Sequence, residues 1–120
     1  MLDREGLNFA NGLPRAEAIA QLNDKLRKTG RGGRLLVTRG VRASAGFEPA
    51  ELLKSLAAYE GFDIDNDPHG ERDFGDLALF GRSLLWKLDY YDRQLAFASL
   101  DPANEEVTVR VLTVMLESEY

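Results

Sequence analysis

The sequence predicts one α+β domain: a small antiparallel sheet of three to four strands with about three helices, largely on one face of the sheet. Its 120 residues, 44% hydrophobic and 29% charged, fit a single globular domain spanning residues 1–120. Two segments repeat apolar residues every three or four positions, and another alternates apolar and polar residues around a tight turn. Residues 1–12 show no such period, so we expect a loose N-terminal arm.

The first helix is predicted over residues 14–28, because proline favours the first helical position and Gly30 ends the segment. Its apolar stripe is Ile19, Leu22 and Leu26. A glycine-rich joint at residues 30–33 then leads into a strand at 34–38, and residues 39–46 are predicted to form a loop.

The second helix is predicted over residues 49–60, where Leu52, Leu53, Leu56 and Tyr59 form the stripe. An acidic loop at residues 62–73 separates it from a hairpin at 76–91, for which Gly81 and Arg82 suggest a type II′ turn. In the second arm of the hairpin, one face holds Leu84, Trp86, Leu88 and Tyr90, whereas Lys87, Asp89 and Tyr91 point the opposite way.

The C-terminal third is ambiguous between helix and strand. Residues 95–98 could add a short strand. We predict a helix over 102–117, because Asp101 can cap it, Pro102 can open it, and apolar residues recur at helical spacing. Alternation from Val107 to Thr113, rich in β-branched residues, favours a strand instead.

Composition excludes several functional classes. The absence of cysteine removes disulfides, thiolate zinc sites and thiol nucleophiles. No apolar run approaches the roughly 20 residues that span a bilayer, and the N-terminus does not resemble a signal peptide. We therefore expect a cytoplasmic protein that does not engage a membrane, and we predict no cofactor.

The charge is segregated along the chain. The net charge is -5, yet no acidic residue lies between Asp24 and Glu48, and residues 60–76 are strongly acidic. Such a division suggests partner steering, although charged loops are often simply solvated. Four arginines of the basic segment are weak candidates for nucleic-acid binding, against which the overall acidity counts: Arg31, Arg34, Arg39 and Arg42.

The best candidate functional site is the acidic loop, for which three interpretations are open. An EF-hand fails because Pro68 and Phe74 occupy the glycine and glutamate positions; we predict no metal, with Asp65, Asp67 and His69 as weak alternatives. Catalysis would use His69 with Glu71 or Asp73 as acid, base and orienting group. A purely structural loop is equally compatible, because Asn66, Asp67, Pro68 and Gly70 are turn formers.

We also predict a binding surface. Aromatic and charged residues at the polar side of a hairpin can anchor a protein partner. The candidate binding residues are Asn66, Asp67, His69, Glu71, Arg72, Asp73, Lys87, Asp89 and Tyr91.

Four stretches resemble a bacterial family known as domain of unknown function 3768. They are NDPHGERDFG at residues 66–75, RVLTVML at 110–116, WKLDYYD at 86–92 and TGRGGR at 29–34, so that the resemblance extends from about Leu22 to Tyr120. The resemblance implies no established activity. It implies a bacterial protein, often on mobile elements, and thereby a small binding protein that could inhibit a host defence complex.

The leading hypothesis is therefore a non-enzymatic protein that binds a protein partner. One alternative is a small metal-assisted hydrolase centred on His69, and another is a nucleic-acid-binding accessory protein that uses residues 25–42. The sequence leaves the oligomeric state open.

Overall fold

The structure, a computed structural model, describes residues 9–10 and 12–120, which form both helices and strands. In chain order the elements are β1 (Phe9–Ala10), β2 (Leu13–Pro14), α1 (Arg15–Thr29), β3 (Arg34–Val37), α2 (Arg39–Arg42), α3 (Pro49–Ala58), β4 (Phe74–Leu79), β5 (Arg82–Tyr91), β6 (Val109–Leu116) and a 3₁₀ turn (Glu117–Glu119). The predicted α+β class is confirmed. Most of the predicted N-terminal arm, residues 1–8 and 11, lies outside the described residues.

The main sheet has four strands in the order β3-β6-β5-β4. β5 pairs antiparallel with both β4 and β6, as the prediction of an antiparallel sheet requires. β3 differs, because it pairs parallel with β6, with Arg34 opposite Val111. A parallel pair needs a long crossover, and the whole chain between β3 and β6 supplies it. β1 and β2 form a separate two-stranded sheet.

The first two predicted helices are confirmed as α1 and α3, each within two residues at either end. The prediction of a plain loop at 39–46 is wrong, because residues 39–42 form α2. Thr38 accepts a hydrogen bond from the Val41 N–H and so caps this turn. At the joint before β3, a Cβ on Gly33 would lie 2.5 Å from the Arg110 carbonyl oxygen, so this glycine permits a close backbone approach.

The hairpin is confirmed, but its turn is shifted by one residue. Leu79 lies opposite Arg82, so the two turn residues are Phe80 and Gly81 rather than Gly81 and Arg82. Their φ angles are 57° and 68°, which is the pattern of a type I′ turn and not of the predicted type II′.

The helix predicted over 102–117 is wrong, because residues 109–116 form β6 and residues 101–108 form turns. β6 lies between two strands and is buried on both faces, so its apolar residues run continuously and imitate a helical stripe. The β-branched alternation was the better guide. Residues 95–98 are no strand either, since only a single bridge joins Ala98 to Tyr91.

The core lies between the helices and one face of the sheet. Leu26, Val41, Leu52 and Leu56 from the three helices pack on the sheet. The sheet contributes side chains from its two central strands, namely Leu84, Trp86, Leu88, Leu112, Val114 and Leu116. This agrees with the prediction that the helices lie largely on one face. None of the described helices is long and apolar enough to cross a membrane.

Candidate functional site

The acidic loop connects α3 to β4 and is shaped by its own side chains. The Asp63 carboxylate accepts hydrogen bonds from the N–H groups of Asp65 and Asn66, at 2.9 and 3.0 Å. The Asn66 amide donates to the Gly61 carbonyl at 2.8 Å. The Asp67 carboxylate accepts the Arg72 N–H at 2.9 Å. These are the local contacts by which Asx side chains stabilise turns, so the structural interpretation accounts for all three of these side chains.

Arg72 fastens the end of the loop to α1. Its backbone is left-handed, with a φ of 52°, and its side chain points back across α1. The guanidinium donates to both Asp24 carboxylate oxygens at 3.1 and 3.0 Å, and to Glu17 at 3.2 and 3.3 Å. The hydrogen bond to Asp24 raises the pKa of Arg72 above its ordinary value.

Glu71 joins a buried polar network on the other side of the same helix. Its carboxylate accepts the Tyr90 hydroxyl at 2.9 Å, and its carbonyl oxygen accepts the Asn23 amide at 3.0 Å. Asn23 also donates to the Tyr90 hydroxyl at 2.8 Å and accepts Arg110 Nε at 2.8 Å. We call Asn23, Glu71, Tyr90 and Arg110 the α1 network. It fixes the loop against both the helix and the sheet.

Burial dominates the electrostatics of the α1 network. Asn23 and Arg110 are only 0% and 1% exposed. Burial lowers the pKa of Arg110, and the guanidinium is stabilised by hydrogen bonds to Asn23 and the Pro102 carbonyl and by the Tyr90 ring, 5.2 Å away. Burial and the adjacent Glu71 raise the pKa of the Tyr90 hydroxyl, which therefore acts as a hydrogen-bond donor and not as an acid.

His69 and Asp73 occupy different surroundings although both were catalytic candidates. Asp73 is partly buried, and burial together with the Glu71 charge raises the pKa of its carboxyl. His69 is exposed, and its side chain has no hydrogen-bond partner among the described residues. Across residues 9–10 and 12–120, no three histidine or acidic side chains converge to hold a metal ion, so Asp65, Asp67 and His69 are not gathered into a site.

Lys87, Asp89 and Tyr91 lie on the face of the sheet opposite the helices, as predicted. Lys87 donates to Asp89 at 2.8 Å, which raises the pKa of the lysine. We call this face the open face, because α1, α2 and α3 all pack on the other side; Tyr120, which follows the 3₁₀ turn, packs against Phe74 of this face with 5.9 Å between the ring centroids. The strand registers place further side chains there, namely Leu36, Leu85, Val111, Thr113 and Met115.

The two charged segments reach opposite edges of the sheet. Arg31, Arg34, Arg39 and Arg42 are exposed beside or within β3, and none has an ion-pair partner among the described residues. The start of the acidic segment lies beside β4 at the far edge, where the Tyr59 hydroxyl bonds both the Gly61 carbonyl and the Asp76 carboxylate. The arginines are thus free to meet an anionic surface.

The sequence interpretation missed three buried polar residues that organise the site, Asn23, Arg27 and Arg110. Arg27 is 4% exposed and donates to the carbonyls of Leu56 and Tyr59, thereby closing the end of α3. Asn23 and Arg27 share a helix face with Ile19 and Leu26. A polar side chain within an apolar stripe was the available signal, because such groups are buried only when partnered.

A cleft of about 700 Å³ lies elsewhere, between α1 and residues 101–106. Arg15 and Asp101 form an ion pair at its rim, and Ala18, Leu22 and Ala103 line it. It contains none of the predicted site residues.

Comparison with known proteins gives a family and no function. No curated protein and no solved structure matches the chain significantly. A family model described as protein of unknown function (DUF3768) matches residues 37–119. The match includes the stretches at 66–75, 86–92 and 110–116, whereas the one at 29–34 lies outside it. Because the match covers well over half of the chain, the protein belongs to this DUF3768 family.

Proposed function

We propose that the protein acts by binding another protein through the open face of its sheet. The observation that carries this proposal is the composition of that face: aliphatic side chains on three neighbouring strands lie where no described helix packs. Leu36 is 52% exposed and Leu85 is partly exposed, whereas Val111 and Met115, which lie outside both helix-packed clusters, are buried between their neighbours on this face. An apolar sheet face bordered by charge is typical of an interaction site.

The polar residues of the open face support the same proposal. Lys87 and Asp89 are paired and partly exposed, and Tyr91 stands beside them with a ring that can enter a pocket of the partner. An aromatic anchor next to aliphatic side chains, with charged groups at the border, is the usual arrangement of an interface that concentrates its binding energy in a few residues.

The acidic loop supports catalysis less well than it supports a structural role. A general base needs a carboxylate or carbonyl that orients it. Glu71 is already engaged by Tyr90, and Asp67 by the Arg72 backbone. We therefore interpret the loop as the element that positions β4 and β5, and the open face as the element that meets the partner. Inhibition of a host defence complex stays a prediction of the family resemblance.

Two exposed leucines provide a matched test. Leu36 lies on the open face at 52% exposure, whereas Leu53 lies on α3 at 48% exposure. A photo-reactive amino acid at Tyr91, introduced in cells that natively carry the protein, should trap one defined protein in stoichiometric amounts. We expect Leu36→Ser to weaken binding of that purified protein about tenfold, the effect of losing a modest interface contact, and Leu53→Ser to leave it unchanged.

The proposal fails if the probe at Tyr91 traps nothing, or if it traps the same proteins as a probe at the exposed Lys54 of α3. Equal loss of binding in both leucine variants would also contradict it, because the open face would then have no special role.

A further inference from the structure

We propose that copies of this chain associate head to tail, with the β3 edge of one sheet paired to the β4 edge of the next. This goes beyond the proposed function, because it concerns the edges of the sheet and not its open face. The basic edge is defined as β3 with Arg31, Arg34, Arg39 and Arg42. The acidic edge is defined as β4 with Glu60, Asp63, Asp65 and Asp76.

Both edges present unpaired backbone groups within the described residues. On β3, the Thr38 N–H donates to the Val114 carbonyl, so alternation turns the peptide groups of Leu35 and Val37 outward. On β4, the Leu88 N–H donates to the Asp73 carbonyl, so the groups of Phe74, Asp76 and Ala78 face outward. Open strand edges of this kind are templates for pairing with a further strand.

The directions of the strands match. β3 is parallel to β6, β5 is antiparallel to β6, and β4 is antiparallel to β5, so β3 and β4 run in the same direction. A second copy in the same orientation therefore brings its β4 parallel to β3, with the helices of both copies on the same side. The β3 residues with outward peptide groups have their side chains on the helix face, and those of β4 have theirs on the open face. In a parallel pair, the residues that bond each other across the two strands have side chains on opposite faces, so this arrangement fits.

The charges of the two edges are complementary. All eight charged residues that define the edges are exposed, and none forms an ion pair among residues 9–10 and 12–120. Within one molecule the two groups lie at opposite edges of the sheet and do not pair with each other; the acidic side chains near the basic edge are Glu105, close to Gly32, and Glu119, close to Gly40. Association places them against each other, which favours the head-to-tail contact and disfavours pairing of like edges.

The expected assembly is weak and open-ended. A single strand pair is smaller than a standard stable interface, and β3 has only four residues. A contact between unlike surfaces leaves one free edge at each end, so that it continues into short chains unless a rotation closes a ring. Because exposed charges supply much of the attraction, salt should dissolve the chains.

Sedimentation velocity of the full chain at rising concentration tests the proposal. We expect the mean mass to rise with concentration at about 20 mM salt and to return to the monomer at about 500 mM, where exposed charges are screened within a few ångströms. Arg34→Glu with Arg42→Glu reverses two charges of the basic edge, and Glu60→Lys with Asp65→Lys reverses two charges of the acidic edge, so that the altered edge has no net charge in either variant. Each pair should be monomeric alone, and mixing the two should restore association.

The matched control is Lys54→Glu, which makes the same kind of charge reversal on the exposed face of α3 and should leave association unchanged. Hydrogen exchange should show slower exchange of the Leu35 and Val37 amides in the associated state. A wild-type chain that stays monomeric at every concentration overturns the proposal, as does association that persists in both reversed variants. If the monomer instead binds a DNA or RNA duplex and Arg34→Glu with Arg42→Glu abolishes that binding, the basic edge serves nucleic acid and the proposal is wrong.

Discussion

The loop between α3 and β4 contains two regions of similar polarity that are used in opposite ways. Glu71 and Arg72 turn inward and bind α1 through Asn23, Asp24 and Glu17. Residues 68–70, only a few positions earlier, are exposed. The difference arises from what lies opposite each region: α1 offers hydrogen-bond partners to Glu71 and Arg72, whereas it offers none to residues 68–70 within the described part of the chain. The second half of the stretch at 66–75, which resembles the family signature, thus joins α1 to the sheet.

Asn23→Ala should cause the largest loss of stability, because it removes the centre of the α1 network. Arg110, Tyr90 and the Glu71 carbonyl would each lose a hydrogen bond. Removing one partner from a buried charged network costs about 3 kcal/mol or more, because the Arg110 charge stays buried with only the Pro102 carbonyl and the Tyr90 ring beside it. Urea unfolding should show this loss in the free energy of unfolding. The control is Gln21→Ala, at an exposed position of the same helix, which should change the free energy of unfolding little. A loss below about 1 kcal/mol in Asn23→Ala would contradict the importance assigned to the α1 network.

Arg72 separates the contribution of the ion pairs from that of the backbone. Arg72→Gly loses the contacts to Asp24 and Glu17 but accepts the φ of 52° without strain, whereas Arg72→Ala loses the contacts and keeps the strain. We expect Arg72→Ala to lower the free energy of unfolding by about 1 kcal/mol, since these pairs are only partly buried and wild type has the same backbone strain. Arg72→Gly should lie close to wild type, because relief of the strain offsets the lost contacts. Arg72→Ala should lie about 1 kcal/mol below Arg72→Gly.

Salt distinguishes the two contributions of Arg72. Raising the ionic strength should narrow the difference in free energy of unfolding between wild type and Arg72→Ala, because the ion pairs are screened. The gap between the glycine and alanine variants should not change. If Arg72→Ala and Arg72→Gly have the same free energy of unfolding, the left-handed backbone of residue 72 does not destabilise a residue with a side chain.

How much of the fold could be predicted from the sequence depends on the range of the interactions. α1, α3 and the hairpin were predictable, because apolar spacing and turn residues act locally. β6 stayed ambiguous, because burial on both faces adds apolar residues between the alternating ones and so imitates a helical stripe, although its β-branched residues favoured a strand. The parallel pairing of β3 with β6 was hidden, since it joins residues more than 70 positions apart.

The candidate site shows the same limit. The turn-forming role of Asn66 and Asp67 was predictable from local side-chain chemistry. The inward direction of Glu71 and Arg72 was not, because their partners lie 48 and 55 positions away on α1. The placement of Lys87, Asp89 and Tyr91 on the open face was predictable, because strand alternation fixes it.

Asp73, next to Glu71 and Arg72, should make the stability of the protein depend on pH. Burial and Glu71 raise the pKa of Asp73 in the folded state, so ionisation of this carboxyl destabilises the fold. Its favourable contribution is complete below the unfolded pKa and is lost as the pH rises through the folded pKa. Asp73→Asn should therefore match wild type at strongly acidic pH and become the more stable protein as the pH rises towards neutrality.

Urea unfolding of both proteins across this pH range measures the effect. Asp65→Asn, at an exposed position of the same loop, should show no such divergence from wild type. A difference between Asp73→Asn and wild type that is the same at every pH would contradict the assignment, since it would not come from titration of the Asp73 carboxyl.

His69→Ala should change stability least of all the variants, and it tests whether the exposed residues 68–70 have a function. The side chain has no hydrogen-bond partner among the described residues, so its removal should change the free energy of unfolding by less than about 0.5 kcal/mol. On the proposed function, binding of the partner trapped at Tyr91 should also be unchanged. Glu71→Ala is the contrasting variant, because it removes the acceptor of the Tyr90 hydroxyl and should destabilise the fold. His69→Ala could keep the fold but lose partner binding, metal affinity or a hydrolytic activity present in wild type. In that case residues 68–70, and not the open face, are the functional element, while Glu71 and Arg72 have the structural role.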